Sequence, residues 1–237
     1  MNFTKEKSIF KKLNKKGFTP MHVAEVGVYY PETSNIYDYI QSGITATIVE
    51  PDPESIRRIK EHFSGFSNIN LYEVAVYKQS GKISLAQRDA STFISELDSS
   101  PAIINDEYEV KDVDIFEVDA KRFDEIDDGT IDLLSIDIEG GEWYVLKYMV
   151  SRPSVISIET HGAIYINPHI DEIIQWMQEN DYQLWYKDRS DSVYVKKGSI
   201  NLTFIDKLNL FLYKIYLILR RNRKILKKSI REKFGKN

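Results

Sequence analysis

The sequence predicts an α/β protein: a doubly wound, mostly parallel sheet of seven strands, with a helical extension at the C-terminal end. Three observations predict it. Short Val- and Ile-rich runs alternate with helical patterns, the runs are apolar on both faces, and the alternation ends in an antiparallel pair.

The runs are HVAEVGVYY (22–30), TATIVEP (45–51), INLYEVAVY (69–77), DLLSIDI (132–138) and SVISIET (154–160). Between them, PESIRRIKEHF (53–63), EWYVLKYM (142–149) and PHIDEIIQWMQEN (168–180) carry apolar residues three and four apart, the spacing of amphipathic helices. YQLWYKD (182–188) and SVYVKK (192–197), separated only by RSD, form a hairpin. Residues 78–120 interrupt the alternation: GKISLAQ (81–87) and YEVKDVDIFEV (108–118) are expected to be extra strands around the polar loop SSPAIINDE, an insertion beside the mouth of a site. The organisation is therefore an amphipathic helix over 1–19, with Ile9, Phe10 and Leu13 inward, an α/β domain over 20–200, and a basic helical tail over 201–237.

Composition bounds the function classes. With 42% hydrophobic and 29% charged residues the chain is globular rather than disordered. Absence of cysteine removes disulfides and thiolate metal sites, which fits a cytoplasmic protein. The basic N-terminal stretch has no apolar core, so neither a secretory signal nor a membrane span is expected there. The net charge of −4 conceals an asymmetry, because residues 201–237 hold eleven Lys and Arg against Asp206 and Glu232, net +9, leaving −13 for the remainder. That is not a nucleic-acid surface.

In an open parallel sheet, ligands bind outside the carboxyl ends of the strands where the connection order reverses. The first strand ends in Glu25, Val26 and Gly27, followed by VYYPETSN and a helix that Thr33, Ser34 or Asn35 would cap, turning its amides toward a ligand. With a single glycine this is not a dinucleotide fingerprint. Glu50, before Pro51, closes the second strand at the distance expected of a carboxylate that accepts ribose hydroxyls; a solvated Glu ahead of a helix has the same spacing. Ala75 and Val76 could wall an adenine or simply pack. The fourth strand runs into SIDIEGGEW, where pleat alternation puts Asp137 and Glu139 on one side if the strand persists. Burying two carboxylates without a basic partner is costly, so a site explains them better than a core. At the fifth strand end, Glu159 and His161 should lie beside these carboxylates, an environment that would tune an otherwise structural histidine.

Together these residues resemble the FkbM family of S-adenosylmethionine-dependent methyltransferases, from about residue 20 to 165. The likeness is strongest in VKDVDIFEVDAKRFDEIDDGTIDLLSIDIEGGEWYVLKYM, where Asp137, Glu139, Gly140 and Glu142 match the family's Asp, Glu-Gly and Glu pattern; IVEPDPESIRRIKEHF and SVISIETHG are similar to its ribose segment and later strand. The chain departs from the family where EVGVYYPETSN replaces Asp-Val-Gly-Ala-Asn, and where Ser135 stands in place of a Lys two residues before the fourth-strand Asp. The resemblance implies a class I, Rossmann-like sheet and transfer of a methyl group from S-adenosylmethionine, leaving S-adenosylhomocysteine, to a hydroxyl of a sugar, glycan or other small hydroxylated natural product. It implies cofactor contacts from Glu25, Gly27, Val28, Tyr29 and Ser34, from Glu50 and Pro51, from Ala75 and Val76, and from Asp137. Asp137, Glu139 and His161 are the catalytic candidates, with His161 or Glu139 taking the acceptor's proton. No metal ligand is assigned, although a divalent ion remains compatible with the acids.

Two other classes compete. The acidic pair could hold a metal on a nucleotide-sugar diphosphate, as in some glycosyltransferases. The tail could make a non-catalytic membrane-docking module: Leu208, Phe211, Leu212, Ile215 and Leu219 form an apolar face that would meet an anionic bilayer, the domain, or a second subunit in a homo-oligomer. Asp206, Lys207 and Lys214 break every run long enough to span a bilayer.

Overall fold

The structure, a computed structural model, describes residues 6–88, 91–94, 104, 115–161, 165–188 and 190–234. Eleven strands are described in chain order: β1 His22–Val26, β2 Thr45–Val49, β3 Ile69–Tyr72, β4 Ala75–Val76, β5 Gly81–Arg88, β6 Ser91–Ile94, β7 Ile115–Lys121, β8 Leu133–Ile136, β9 Val155–Glu159, β10 Tyr182–Asp188 and β11 Asp191–Lys196. The helices are α1 Ser8–Lys15, α2 Tyr37–Gln41, α3 Pro53–His62, α4 Glu142–Tyr148, α5 Ile170–Glu179 and α6 Phe204–Phe234.

Seven strands form the main sheet in the order β10-β11-β9-β8-β1-β2-β3. Only β11 runs antiparallel to its neighbours. The expected closing hairpin is present, but β11 is inserted between β9 and β10 rather than added at the edge, so both its sides are paired. β1 pairs with β2 on one side and β8 on the other, which makes the β1–β8 junction the point where the connections reverse.

Alternation along the strands divides the core into two layers. Val23, Ala46, Ile48, Leu133 and Val155 face α1, α2 and α3, meeting Leu13, Ile40 and Ile59. Their neighbours Ala24, Val49, Leu134 and Ile156 face α4 and α5, meeting Leu146, Ile173 and Met177. Two-sided burial is why these runs carry no polar alternation; each fully buried aliphatic side chain contributes about 1.5–3 kcal/mol. In α1, Ile9 and Leu13 are buried as expected and Phe10 packs edge-on against Tyr39 at 4.9 Å.

The run 69–77 differs from its expected single strand. It leaves the main sheet after Tyr72, and Ala75–Val76 pairs instead with β7 in a second sheet of order β4-β7-β5-β6. Strands therefore form at 81–88 and 115–121 within the interrupted stretch, while most of SSPAIINDE and the start of YEVKDVDIFEV lie outside the described residues.

α3 begins where Asp52 accepts from the Ser55 amide at 2.8 Å and its hydroxyl at 2.7 Å, with Pro53 in the first turn. This cap fixes the chain two residues after Glu50. Replacing Asp52 by Ala should lower stability by about 1–2 kcal/mol with an unchanged denaturant slope, as urea unfolding would read.

Candidate functional site

A cleft at the carboxyl edge of β1, β2 and β8 encloses about 940 Å3 of empty space, part of it open to solvent. From β1 and its loop come Glu25, Gly27, Val28, Tyr29 and Ser34; from β2, Glu50 and Pro51. Ala75 and Val76 wall one side together with Leu85 of the second sheet, and Asp137 and Glu139 close the other. Every position singled out for cofactor contact lines this one cleft.

Gly27 explains how β1 and β8 meet there. Its φ is +89°, and a Cβ built on it would lie 1.9 Å from the Asp137 carbonyl oxygen. Only glycine permits both the left-handed backbone and this approach. Pairing continues one residue past β8, where the Asp137 amide donates to the Val26 carbonyl at 2.9 Å. The strand then stops, because Glu139 adopts φ 59°. Asp137 and Glu139 thus face the cleft from a turn rather than from an extended pleat. A non-glycine residue in the left-handed region is a locally strained conformation that the surroundings must enforce.

Glu142 enforces it. Fully buried at the start of α4, its carboxylate accepts from the Ile138 amide at 3.1 Å, from the Gly140 amide at 3.1 Å and from the Asn167 side chain. The third carboxylate of SIDIEGGEW is therefore a clamp on the turn.

Glu25 has a comparable inner role. It accepts from Ser34 Oγ, from the Asn35 amide at 3.0 Å and from Ser135 Oγ at 3.3 Å. Asn35 in turn donates to Ser135 Oγ at 3.0 Å and to Asp191 Oδ2 at 3.3 Å. The expected helix cap takes a different form: α2 has no side-chain cap, and Ser34 and the Asn35 amide are turned to Glu25. Ser135, at the place of the family's Lys, completes the same network. Burial raises the Glu25 carboxyl above its ordinary range despite these donors.

Glu50 accepts from the Val28 amide at 2.7 Å and the Asp52 amide at 2.8 Å, one to each oxygen. A carboxylate oxygen has capacity for a further donor, so a diol in the cleft can still be received. Burial pushes Glu50 up to about 8, against the pull of the two amides.

Asp137 opens onto the cleft although protein atoms crowd it. That crowding, then the charges of Asp191, Glu139, Glu142 and Glu25, holds its carboxyl well above the usual range. The like charges set the direction even where solvent reaches the side chain. Glu159 is raised in the same way, by burial and then by Asp137, Glu142 and Glu139. Asp137, Glu142 and Glu159 offer oxygens within 4.8 Å of one another, a spacing that could hold a hard divalent cation, although Glu142 already spends its oxygens on the turn.

His161 stands elsewhere. It lines a different cavity, shared with α6, and its Nδ1 lies 3.0 Å from Thr160 Oγ1. The expected carboxylate environment is replaced by a cationic one: burial, then Lys187 and Arg220, lowers the imidazole to about 4. Asn167 and Asp191 are the participants that sequence reasoning missed, while Asn35 and Ser135, read there as a cap candidate and a departure from the family, join the Glu25 network; Asp191 pairs across strands with Glu159, a contact that local spacing does not encode.

The strand order, with one reversed strand beside the edge and a cleft at the reversal point, is that of the class I, Rossmann-like methyltransferase fold. A model of the methyltransferase FkbM domain matches residues 23–184; the chain belongs to the FkbM methyltransferase family. This sets aside the glycosyltransferase alternative. Among solved structures the chain is similar to the ribosomal protein L11 methylase of Lactobacillus delbrueckii subsp. bulgaricus, at 14% identity over 79% of this chain and 76% of that one, TM-score 0.40. It is also similar to a SAM-dependent methyltransferase from Aquifex aeolicus, at 12% identity over 80% and 89%, TM-score 0.38. A third is Aeropyrum pernix fibrillarin with natively bound S-adenosyl-L-methionine, at 11% identity over 79% and 74%, TM-score 0.41. No curated protein sequence matches the chain. The residues present fit the cofactor: an acceptor-rich Glu50, an apolar wall at Ala75 and Val76, and a β1 turn with no Cβ at Gly27.

Gly27→Ala should cost about 2 kcal/mol or more and displace the Asp137 turn, seen as a lower unfolding midpoint together with weakened S-adenosylhomocysteine binding. Glu50 gives a pH signature. The folded chain keeps its proton up to about 8, whereas the unfolded chain loses it near 4.5, so the stability it contributes is complete below the lower value and lost as pH rises through the upper one. Melting of the ligand-free protein should fall between about pH 5 and pH 9, and Glu50→Gln should flatten that fall.

Proposed function

We propose that this methyltransferase methylates a hydroxyl oxygen of a sugar, a glycan or another small hydroxylated natural product. The acidic floor of the cleft carries this proposal. An alcohol becomes a useful nucleophile only as its proton leaves, and a carboxylate raised toward neutrality is a competent acceptor for it. Asp137 and Glu139 bring carboxylates to the cleft, and that of Asp137 is held well above the usual range.

When bound, S-adenosylmethionine supplies an activated methyl group on a sulfonium. Glu50 would receive the ribose hydroxyls, and Ala75 and Val76 would cover one face of the adenine. Asp137, whose acidic neighbours favour a positive charge, would hold the cofactor's ammonium group. Glu139 takes the acceptor's proton as the acceptor oxygen gains its methyl group. Positioning provides much of the acceleration, since holding the oxygen in line removes the entropy of encounter. His161 faces the other cavity, so the proton acceptor is assigned to Glu139.

Calorimetry should show S-adenosylhomocysteine binding that Glu50→Gln weakens about tenfold or more. With radiolabelled cofactor and a panel of monosaccharides and oligosaccharides, Glu139→Gln should lose about 10²–10⁴ in kcat with cofactor affinity retained. His161→Gln should stay near the wild-type rate; a loss matching that of Glu139→Gln would move the base to His161, and transfer only to amines would overturn hydroxyl methylation.

A further inference from the structure

α6 is a single helix of 31 residues fixed to the domain by its first turn. Asp206 accepts from Lys16 Nζ at 2.6 Å, from Trp185 Nε1 at 3.2 Å and from the Thr203 amide at 2.7 Å. Beyond that turn, Leu210, Tyr213, Leu217, Arg220 and Arg221 are the partly covered positions, and Lys214, Leu217, Ile218, Arg220 and Arg221 line a cavity behind the helix. The opposite face is apolar and bare. Ile205, Leu208, Phe211, Leu212, Ile215 and Leu219 are between 40% and 66% exposed, and no described residue covers them. A face of this breadth marks an interaction surface.

Behind the helix, between its inner stripe and the ends of β9 and β10, lies the cavity that holds His161. It encloses about 890 Å3 of empty space, part of it open to solvent. Its walls are mainly apolar, with five nitrogen-bearing side chains: His161, Lys187, Lys214, Arg220 and Arg221. No Asp or Glu is among the described lining residues. Among the described residues the side chains of Lys187, Lys214, Arg220 and Arg221 make no ion pair or hydrogen bond, and the buried His161 Nε2 has no partner. Burial, then the charge of Lys214, depresses Lys187 to about 8. Cations crowded against one another without an anion leave an unspent positive potential.

Two occupants could cover the bare face, and charge separates them. Pairing with a second copy would bring two tails of net +9 together. An anionic bilayer complements that charge and accepts the apolar face at once. No described helix is long and apolar enough to cross a membrane, which places such a helix in the plane of the interface. Ile218 links the two features, since it lines the cavity and is 58% exposed.

We propose that α6 lies on an anionic bilayer with its outer face among the acyl chains, and that the cavity behind it receives the phosphate of an anionic phospholipid headgroup, held by Lys187, Lys214, Arg220 and Arg221. The helix and the cavity then act as one site, the tails meeting apolar side chains and the phosphodiester meeting cations at headgroup level. Nothing in this depends on the methyl acceptor.

Co-sedimentation of the full chain with vesicles tests it, using phosphatidylcholine alone and phosphatidylcholine mixed with phosphatidylglycerol. Binding should be about tenfold or more tighter to the mixed vesicles. K214A/R221A should lose that preference, and F211E/I215E should lose binding to both. S-adenosylhomocysteine binding by each variant reports an intact fold. Equal affinity for both vesicles, retention of the preference by K214A/R221A, or no binding to either vesicle would overturn the proposal. So would a dimer in sedimentation velocity that F211E/I215E dissolves while vesicle binding is absent. Soluble glycerol 3-phosphate binding as tightly as the mixed vesicles would make the cavity a free-phosphate site and equally refute lipid docking.

Discussion

The architecture depends on one close approach. β1 and β8 converge until the backbone at Gly27 meets the Asp137 carbonyl, leaving no room for a Cβ. The turn 137–141 follows from that contact, and Glu142 locks it through the Ile138 and Gly140 amides. Because the approach lies where the strand connections reverse, the same steric constraint that orders the turn also sets the floor of the cleft. The residues that line the cleft from β1 and from the turn after β8 are thereby brought together by backbone packing rather than by side chains reaching across a gap.

Two electrostatic regions are kept apart around this point. Asp137, Glu139, Glu142, Glu159 and Asp191 gather near the ends of β8 and β9, and burial followed by these neighbouring charges raises the carboxyls of Asp137 and Glu159. On the other side of the β9 end, His161 faces Lys187 and Arg220. Tyr165 lies between, lining the cationic cavity while its hydroxyl is raised by burial and then by Glu142 and Glu159. The two regions carry opposite potentials a short distance apart, acidic at the cleft and basic at the cavity behind α6. Stability has been spent in both places, as is expected where binding rather than folding sets the residues.

Much of this was legible in the sequence because it is local. Alternation with two-sided burial located β1, β2, β8 and β9; Glu50 before Pro51 and Asp137 after β8 followed from strand ends alone. What escaped is non-local. Asn35 reaching Asp191, and Asn167 reaching Glu142, join residues far apart in the chain, and no spacing rule encodes such distances. The run 69–77 looked like one strand because its composition is uniform, whereas pairing partners divide it between two sheets. His161 was expected beside acids because it follows Glu159 by two residues; beyond the strand its backbone turns to Ser190, whose carbonyl accepts from the His161 amide at 3.2 Å, and α6 supplies the cations.

The placement of β11 has a bearing on how the molecule is assembled. Until residues 191–196 leave the ribosome, β9 presents a bare row of amides and carbonyls that nothing downstream has yet satisfied, the kind of edge that recruits other chains. The hairpin must insert rather than append, so completion of the sheet comes late in synthesis. A nascent chain stalled before Asp191 would carry a paired β1–β2 side and an open, adhesive flank at β9.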